Sequence, residues 1–489
     1  MSADHDPRAA IEGFLALCRR PALLEPGEDL IELDANWTLE ERGGRLVLQA
    51  WDRKRNLSRR VKSVRAESAG RLELAVELFA RREGKLFLLD LDRRAGFDAE
   101  RRSARLVFRE RFRQFLSRQY PGWTITELSA EADLEHSLSP AYARGLLKQG
   151  QAGMAAIAAP DASAAGILSF GLIWLNYLRK RERRTAIEGL ALFVPEGEER
   201  ATRLRMRQLD ARAGRCELFA YSAQDYVARV DPDDVGNLDT RLESCRRPLP
   251  LPAGFEELAG LPGVERVPRP DGSLSLRVRG LEFARAGEKG LRFGISRKTA
   301  AQARHLPEVE RLARELARVR APGVEDRAHP LWRQSPEAWL ESQVRAEIET
   351  VDASLRPEPV YTQVLAFAGG DRGVIDLLAV DRAGRLAILE LKAAADVHLP
   401  LQALDYWMRV RWHLARGEFA ERGYFPGIAL SPEPPRILLV SPALEFHPTS
   451  EAILGHFTPS IPVERIGVGL EWRSGLEVMF RLAGAESPR

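Results

Sequence analysis

The most constraining feature of the chain is a predicted β-hairpin over residues 373–393, GVIDLLAVDRAGRLAILELKA, because both of its faces are apolar. Successive side chains of a strand point to opposite faces, so such a hairpin is expected in the middle of a covered sheet. The turn 381–385 predicts a three-residue loop with Gly384 in the left-handed conformation. This register places Asp376 directly opposite Glu390.

Directly opposed residues share one face of the sheet, and like charges there are destabilising. Lys392 lies on the same face as Glu390 and is the only lysine after residue 299. Burying these charges would cost several kcal/mol for each uncompensated group. A divalent cation between the carboxylates would remove that cost, and the oxygen ligands suit Mg²⁺. The alternative is an edge strand on which Glu390 and Lys392 neutralise each other, with Asp376 at a strand end.

These residues resemble a known family. Asp376, the hairpin and the sequence Glu390-Leu391-Lys392 look like the core of the PD-(D/E)XK nuclease superfamily, with Ile375 in place of the usual proline. The hairpin is also similar to the nuclease domain of NucS-type endonucleases. Further along, LPLQALDYW contains the Gln-x-x-x-Tyr helix signature seen in RecB-like members. The resemblance covers less than a quarter of the chain.

The resemblance implies a role for each matching position. Asp376 and Glu390, together with the carbonyl of Leu391, would hold Mg²⁺ or Mn²⁺. Lys392 would orient or deprotonate the attacking water. Glu341, in the preceding predicted helix, matches an acidic residue that often reaches the site in this superfamily; the alternative for it is an ordinary solvated glutamate.

Three residues of the helix after the hairpin are candidates for substrate binding. Gln402 and Tyr406 are four residues apart and therefore share a helix face. They could bond the metal site or a substrate phosphate, or they could be a buried tyrosine beside a surface glutamine. Arg409 on the same helix is a candidate contact to a nucleic-acid backbone.

The sequence therefore predicts a Mg²⁺-dependent endo- or exodeoxyribonuclease that hydrolyses phosphodiester bonds, in DNA in preference to RNA, within a repair, restriction or defence context. The alternative is a catalytically inactive protein with a nuclease fold that binds nucleic acid or acts as a scaffold. The nearly neutral balance of 73 basic and 70 acidic residues supports that alternative. A homodimer or a protein partner is left open.

The composition bears on the compartment. Cys18, Cys216 and Cys245 lie far apart in the sequence, so neither a disulfide framework nor a cysteine zinc site is expected. The longest apolar stretch, residues 164–175, is too short to span a bilayer. These observations predict a cytoplasmic protein without a membrane partner.

The 489 residues suggest about three domains, and the pattern predicts a multidomain α/β protein. The C-terminal part is expected to be a restriction-endonuclease-like α/β sandwich with a mixed sheet. Four segments are predicted: a β-rich N-terminal domain at 1–100, a central α/β domain at 101–245, a proline-rich linker with a small β unit and a helix at 246–330, and the PD-(D/E)XK nuclease-like domain at 331–489.

Several local elements accompany this division. The cation-rich stretch 53–65 is predicted to be a solvated loop, with phosphate binding as the alternative. Residues 139–149 are predicted to be helical, and 246–272 to be linker. Ser335 followed by Pro336 predicts the start of a helix that continues to about Leu355.

An internal similarity links two parts of the chain. Residues 153–195 show a strand, a helix and a second strand, as residues 386–444 do, and the spacing Ala159 to Trp174 equals the spacing Lys392 to Trp407. The acidic and lysine positions of the candidate site are missing from the first segment. The pattern indicates either a duplicated nuclease-like unit or the common strand-helix-strand arrangement.

Overall fold

The computed structural model describes residues 6–25, 31–33, 36–41, 45–51, 56–68, 70–78, 83–90, 94–160, 163–211, 214–234, 240–368 and 371–486. These residues form four β-sheets accompanied by α-helices. The protein is therefore a multidomain α/β protein, as the sequence predicts.

The N-terminal sheet has seven antiparallel strands in the order β2-β1-β7-β6-β5-β4-β3. Helix α1 packs against it through the buried side chains of Ile11 and Phe14. The elements are α1 (Pro7–Leu17), β1 (Pro21–Leu24), β2 (Ile31–Glu32), β3 (Trp37–Glu41), β4 (Leu46–Trp51), β5 (Asn56–Ser68), β6 (Arg71–Glu77) and β7 (Glu83–Asp90).

The prediction of a loop at 53–65 is wrong for the part that the structure describes, because residues 56–65 belong to strand β5. Cations of this strand pair with glutamates of neighbouring segments, and this pairing lets a charged sequence lie within a sheet. The pairs are Arg59 with Glu25, Arg60 with Glu77, and Arg65 with Glu83.

The second sheet has six strands in the order β13-β12-β11-β10-β9-β8. Pairs β10–β11 and β11–β12 are parallel, and the other three pairs are antiparallel. The elements are α2 (Arg94–Gln119), β8 (Thr124–Ser129), β9 (Ala143–Gln149), β10 (Ala152–Ala158), α3 (Ile167–Arg181), β11 (Ala186–Pro195), α4 (Glu199–Met206), β12 (Arg215–Tyr221) and β13 (Val227–Val230).

The helix predicted at 139–149 is wrong, because most of this segment forms strand β9. Its residues pair with β8 on one side and with β10 on the other. The apolar residues of this segment are buried on both faces of the sheet. A short apolar run of this kind does not distinguish a buried strand from a buried helix.

The third sheet has five antiparallel strands, and helix α5 covers it around a core of its own. The linker predicted at 246–272 is wrong in part, because its last residues form strand β15, which pairs with β16. The elements are β15 (Val264–Pro268), β16 (Leu274–Val278), β17 (Leu281–Gly287), β18 (Gly290–Phe293), β19 (Thr299–Ala300) and α5 (Leu306–Val319).

The C-terminal sheet has seven strands in the order β14-β20-β21-β22-β23-β24-β25. Pairs β22–β23 and β23–β24 are parallel, and the others are antiparallel. The elements are β14 (Thr240–Leu242), α6 (Pro330–Arg333), α7 (Pro336–Ala346), α8 (Ile348–Val351), β20 (Tyr361–Ala368), β21 (Asp371–Val380), β22 (Leu386–Leu391), α9 (Leu399–Ala415), α10 (Glu418–Glu421), β23 (Arg436–Pro442), α11 (Ser450–Leu454), β24 (Val463–Val468) and β25 (Val478–Ala483).

The predicted helix that begins at Ser335 is shorter than expected. Helix α7 ends at Ala346, and the separate short helix α8 follows. Glu347 between them leaves the helical conformation, with φ −121° and ψ 39°. Ser335 is the N-cap residue, but its backbone is left-handed and its side chain makes no capping hydrogen bond.

The predicted hairpin register is confirmed. Strands β21 and β22 pair from Leu377 with Leu389 to Val380 with Leu386. Gly384 has φ +87°, and the Asp381 carboxylate accepts a hydrogen bond from the Arg385 backbone N–H at 2.8 Å. The turn chemistry therefore fixes which residues face each other.

The second and C-terminal sheets share one topology. Strands β8 to β13 and β20 to β25 have the same spatial order and the same sequence of parallel and antiparallel pairs. Helices α3 and α9 follow the hairpin in each unit, and α4 and α11 follow the next strand. We call residues 124–230 the first unit and residues 361–483 the second unit.

The two units pack on each other through matching elements. Helix α3 contacts α11, and α4 contacts α9, so each contact repeats the other with the units exchanged. Arg205 of α4 binds both carboxylate oxygens of Asp405 in α9, at 2.9 and 2.7 Å. One hydrophobic core includes residues of both units, among them Trp174 and Trp407. The arrangement resembles a two-fold dimer within one chain.

In the described part of the chain, no helix combines the length and the apolar character needed to cross a membrane. Its three cysteines are all free thiols.

Candidate active site and metal centre

Asp376 lies where regular strand pairing stops. The pairs of β21 with β22 end at Leu377 with Leu389, and one residue further the Asp376 carboxylate accepts a hydrogen bond from the backbone N–H of Leu391 at 2.9 Å. A carboxylate thus replaces a main-chain partner at the point where the two strands separate. This places the Asp376 side chain beside the end of β22, which carries Glu390.

The other neighbour of Asp376 is also irregular. On β20, Thr362 pairs with Leu377 and Val364 with Ile375, which leaves Gln363 across from Asp376. Gln363 has φ +51°, a left-handed conformation that costs a residue with a Cβ of the order of 1 kcal/mol or more. Its side-chain oxygen accepts a hydrogen bond from Arg269 of the third sheet's hairpin region. The regular pairing of β20 with β21 is therefore interrupted at Asp376.

Glu390 is a buried carboxylate without hydrogen bonds. Its exposed fraction is 1 %, and neither carboxylate oxygen has a hydrogen-bond partner among the described residues. Burial and the neighbouring Asp376 raise the pKa of Glu390 well above its usual value. Burial also raises the pKa of Asp376 to about 7, against the influence of Lys392 and the Leu391 N–H. Burial of two neighbouring carboxyl groups therefore disfavours the ionised form of both.

Lys392 is the cation of this cluster. Its ammonium nitrogen lies 3.8 Å from Glu390 Oε1 and 3.7 Å from Asp396 Oδ2, distances that are too long for direct hydrogen bonds. Burial alone would lower the pKa of Lys392, but surrounding carboxyl groups, Glu337 foremost, raise it above its usual value. The ammonium therefore faces a site with an excess of acidic groups.

Glu341 is buried rather than solvated, with an exposed fraction of 4 %. Its Oε1 accepts a hydrogen bond from Arg277 of β16 at 2.9 Å. Its charge is close enough to raise the pKa of Asp376, as is that of Glu337 in the first turn of the same helix. Glu341 therefore lies at the edge of the site and is bonded there to the third sheet through Arg277.

The three substrate-binding candidates lie on α9. Gln402 Nε2 donates to Tyr406 Oη at 3.2 Å, so the two residues share a helix face as predicted. Tyr406 is buried, and burial together with Glu390 raises the pKa of its hydroxyl. Arg409, one turn further, is also buried, with an exposed fraction of 8 %. Tyr406 therefore belongs to the site, whereas Arg409 lies in the packed body of the domain.

Three residues near the site are missed by the sequence analysis: Glu337, Gln363 and Asp396. Glu337 lies one helical turn before Glu341, and Asp396 lies four residues after Lys392, so spacing could have indicated both. Nothing in the sequence marks Gln363, because its position depends on the pairing of β20 with β21.

The cluster fits a divalent cation by the chemistry of its donors. Asp376, Glu390 and the carbonyl of Leu391 would supply hard oxygen ligands, and water and phosphate would fill the remaining positions. The unbonded oxygens of Glu390 are the observation that supports this fit. Within the described ranges, no group of three or more His, Cys, Asp or Glu side chains is arranged to hold a metal ion.

No protein-family model matches the chain, and no curated protein matches it significantly.

Proposed function

We propose that the protein is a metal-dependent nuclease that hydrolyses phosphodiester bonds, in DNA in preference to RNA. The observation that carries the proposal is Glu390, a buried carboxylate next to Asp376 and Lys392 whose two oxygens have no hydrogen-bond partner among the residues that the structure describes. An uncompensated carboxylate in such a place costs several kcal/mol. A bound cation that is coordinated by the Glu390 carboxylate would offset this cost.

The surrounding fold supports the likeness to PD-(D/E)XK nucleases, although that family assignment is part of the proposal. Helix α7 contacts both strands of the hairpin that carries Asp376 and Glu390. Helix α9 follows that hairpin directly and packs on β22 and β23. The mixed sheet between these helices supports the restriction-endonuclease-like arrangement that we propose.

Each residue of the site has a distinct part in the proposed reaction. A divalent cation held by Asp376, Glu390 and the Leu391 carbonyl would supply a Lewis acid for water activation and for the charge on the phosphate. The Lys392 ammonium would orient the attacking water and donate to a phosphate oxygen. Tyr406, supported by Gln402, closes the side of the site next to Glu390 and excludes bulk water there.

The proposal is tested by incubating the full chain with supercoiled plasmid, linear duplex and single-stranded DNA in Mg²⁺ or Mn²⁺. We expect cleavage that Asp376→Asn and Lys392→Met each reduce by a factor on the order of 10²–10³, the usual cost of losing one electrostatic group of an active site. Gel electrophoresis of the products then distinguishes cuts within a strand from shortening at its ends.

Glu349→Gln is the matched control, because Glu349 is an exposed acidic residue of α8 outside the site. This variant should cleave at the wild-type rate. Binding of DNA without cleavage under either cation would refute the nuclease and support the catalytically inactive nucleic-acid-binding protein instead.

A further inference from the structure

A cleft of about 880 Å³ lies where three parts of the molecule meet. One wall is the third sheet, residues 264–300, and a second is the N-terminal sheet at Trp51. The remaining wall includes Ser335, just before α7, and Gln363 of β20. Gln363 lies across from Asp376, so the cleft adjoins the candidate active site.

The lining of the cleft is basic. Seven of its side chains are Lys or Arg and four are Asp or Glu, an excess of three positive charges that equals the net charge of the whole chain. Lys289 and Arg292, in the β17–β18 hairpin, are exposed members of this set. A local excess of cations in a nearly neutral protein indicates a binding site for a polyanion.

Glu282 and Arg269, which line the cleft, have shifted pKa values. Burial alone would raise the pKa of Glu282, but Lys298 and Arg285 lower it to about 2. Burial lowers the pKa of Arg269 to about 10, and the neighbouring guanidinium of Arg285 adds to that effect. The cations of the cleft therefore stabilise a negative charge at Glu282.

Arg277 connects the cleft to the candidate site. It lines the cleft, and its guanidinium donates to Glu341 of α7 at 2.9 Å. Both residues are nearly inaccessible to solvent, with exposed fractions of 2 % and 4 %. One buried ion pair therefore reaches from the lining of the cleft to Glu341, at the edge of the candidate site.

We propose that this cleft binds a single-stranded stretch of nucleic acid and directs it to Asp376, Glu390 and Lys392. The identity of the polyanion rests on the proposed nuclease function. Lys289 and Arg292 contact phosphates, and Trp51 supplies an aromatic face on which a base stacks, the combination by which proteins hold single strands.

The dimensions of the cleft favour one strand over two. Its volume lies in the range of about 300–1,000 Å³ in which pockets enclose small ligands. A few nucleotides of one strand fit such a space, whereas a duplex would have to remain outside it. The same phosphate chemistry would attract a free nucleoside triphosphate, so the experiment must separate that ligand from a strand.

The test measures binding of a fluorescent single-stranded 12-mer to the full chain by anisotropy, in EDTA so that no hydrolysis occurs, over a series of salt concentrations. We expect Lys289→Glu combined with Arg292→Glu to weaken binding at least tenfold. The dependence of log K on log salt should become shallower by about 1.4, since each lost phosphate contact accounts for about 0.7 on single strands. A duplex of the same sequence should bind more weakly than the single strand.

Arg266→Glu combined with Arg314→Glu is the matched control, because both arginines are exposed on the same domain and outside the cleft. The control should bind like the wild type. Equal losses in both double variants, tighter binding of the duplex, or full displacement of the strand by equimolar ATP would each overturn the inference.

The outcome is separable from that for the nuclease. If the wild type cleaves DNA and the cleft variant binds and cleaves equally well, the cleft proposal fails and the nuclease stands. If the strand binds through the cleft but is not cleaved with Mg²⁺ or Mn²⁺, the cleft stands and the nuclease fails.

Discussion

The first and second units have the same strand order and pairing, yet their central hairpins bury different charges. In the first unit, Arg144 and Ile157 face each other at the positions that correspond to Asp376 and Glu390. Arg144 is buried and donates to the carbonyls of Ser139 and Glu131, at 2.7 and 2.6 Å. The second unit buries Glu390 without any such partner.

The two units share the residues that stabilise the fold and differ in the charged residues that they bury. Both units bury a tryptophan of the helix after the hairpin, and both indoles donate to a backbone carbonyl, Trp174 to Gly145 and Trp407 to Pro435. The buried guanidinium of the first unit donates from its two terminal nitrogens to backbone carbonyls of the same unit. In the second unit, the two carboxylate oxygens of Glu390 have no hydrogen-bond partner among the described residues.

The largest expected effect is on metal binding. Isothermal titration of Mn²⁺ into the full chain should give heat that Glu390→Gln abolishes, because Glu390 and Asp376 are the carboxylates expected to hold the ion. Glu217→Gln is the control from the first unit: Glu217 is also buried but is bonded by Tyr120 and Arg215. Heat that survives Glu390→Gln would place the metal elsewhere and break the contrast between the units.

Truncation of the buried tryptophan in either unit should lower the stability of the protein by a similar amount. Trp174→Ala and Trp407→Ala each remove a side chain with an exposed fraction of at most 2 %. Each should lower the free energy of unfolding by about 3–5 kcal/mol, the usual cost of truncating a buried aromatic residue. Urea denaturation measures both. A cost confined to one unit would show that the two cores are not comparable.

Acid should weaken the contact between the units through His456. The backbone oxygen of His456 accepts the Asp210 N–H across that contact at 2.8 Å. Burial lowers the pKa of His456 from 6.5 to about 4, so between these values the unfolded chain binds the extra proton and stability falls as pH falls. From pH 7 to pH 5 the wild type should lose about 2 kcal/mol more than His456→Gln. Equal losses in urea denaturation would exclude this role.

The smallest expected effect concerns the ion pair between α4 and α9. Arg205→Ala and Asp405→Ala remove a two-point contact whose side chains are 12 % and 23 % exposed. A double-mutant cycle should give a coupling of about 1 kcal/mol, near the upper end for partly solvated pairs. A coupling close to zero would mean that apolar packing alone holds the units together.

The sequence predicted local features with a local cause. The turn at Gly384 set the hairpin register, and the apolar residues on both faces indicated a central strand; the structure confirms both. The helix predicted at 139–149 failed because a short apolar run has no periodicity that separates a buried strand from a helix. Strand β15 was missed because a segment rich in proline and glycine gives no strand signal by itself.

By itself, the sequence determined the opposed pair Asp376 and Glu390, the nearby Lys392, and the spacing that relates the two units, because strand register and turn geometry are local. Only the tertiary structure decided that Gln363 adopts a left-handed conformation within its strand, that Arg277 reaches Glu341, and that a basic cleft adjoins the site. These features depend on how separate sheets pack. Packing brings together residues that are far apart in the chain, and the local sequence around each residue does not identify its partner.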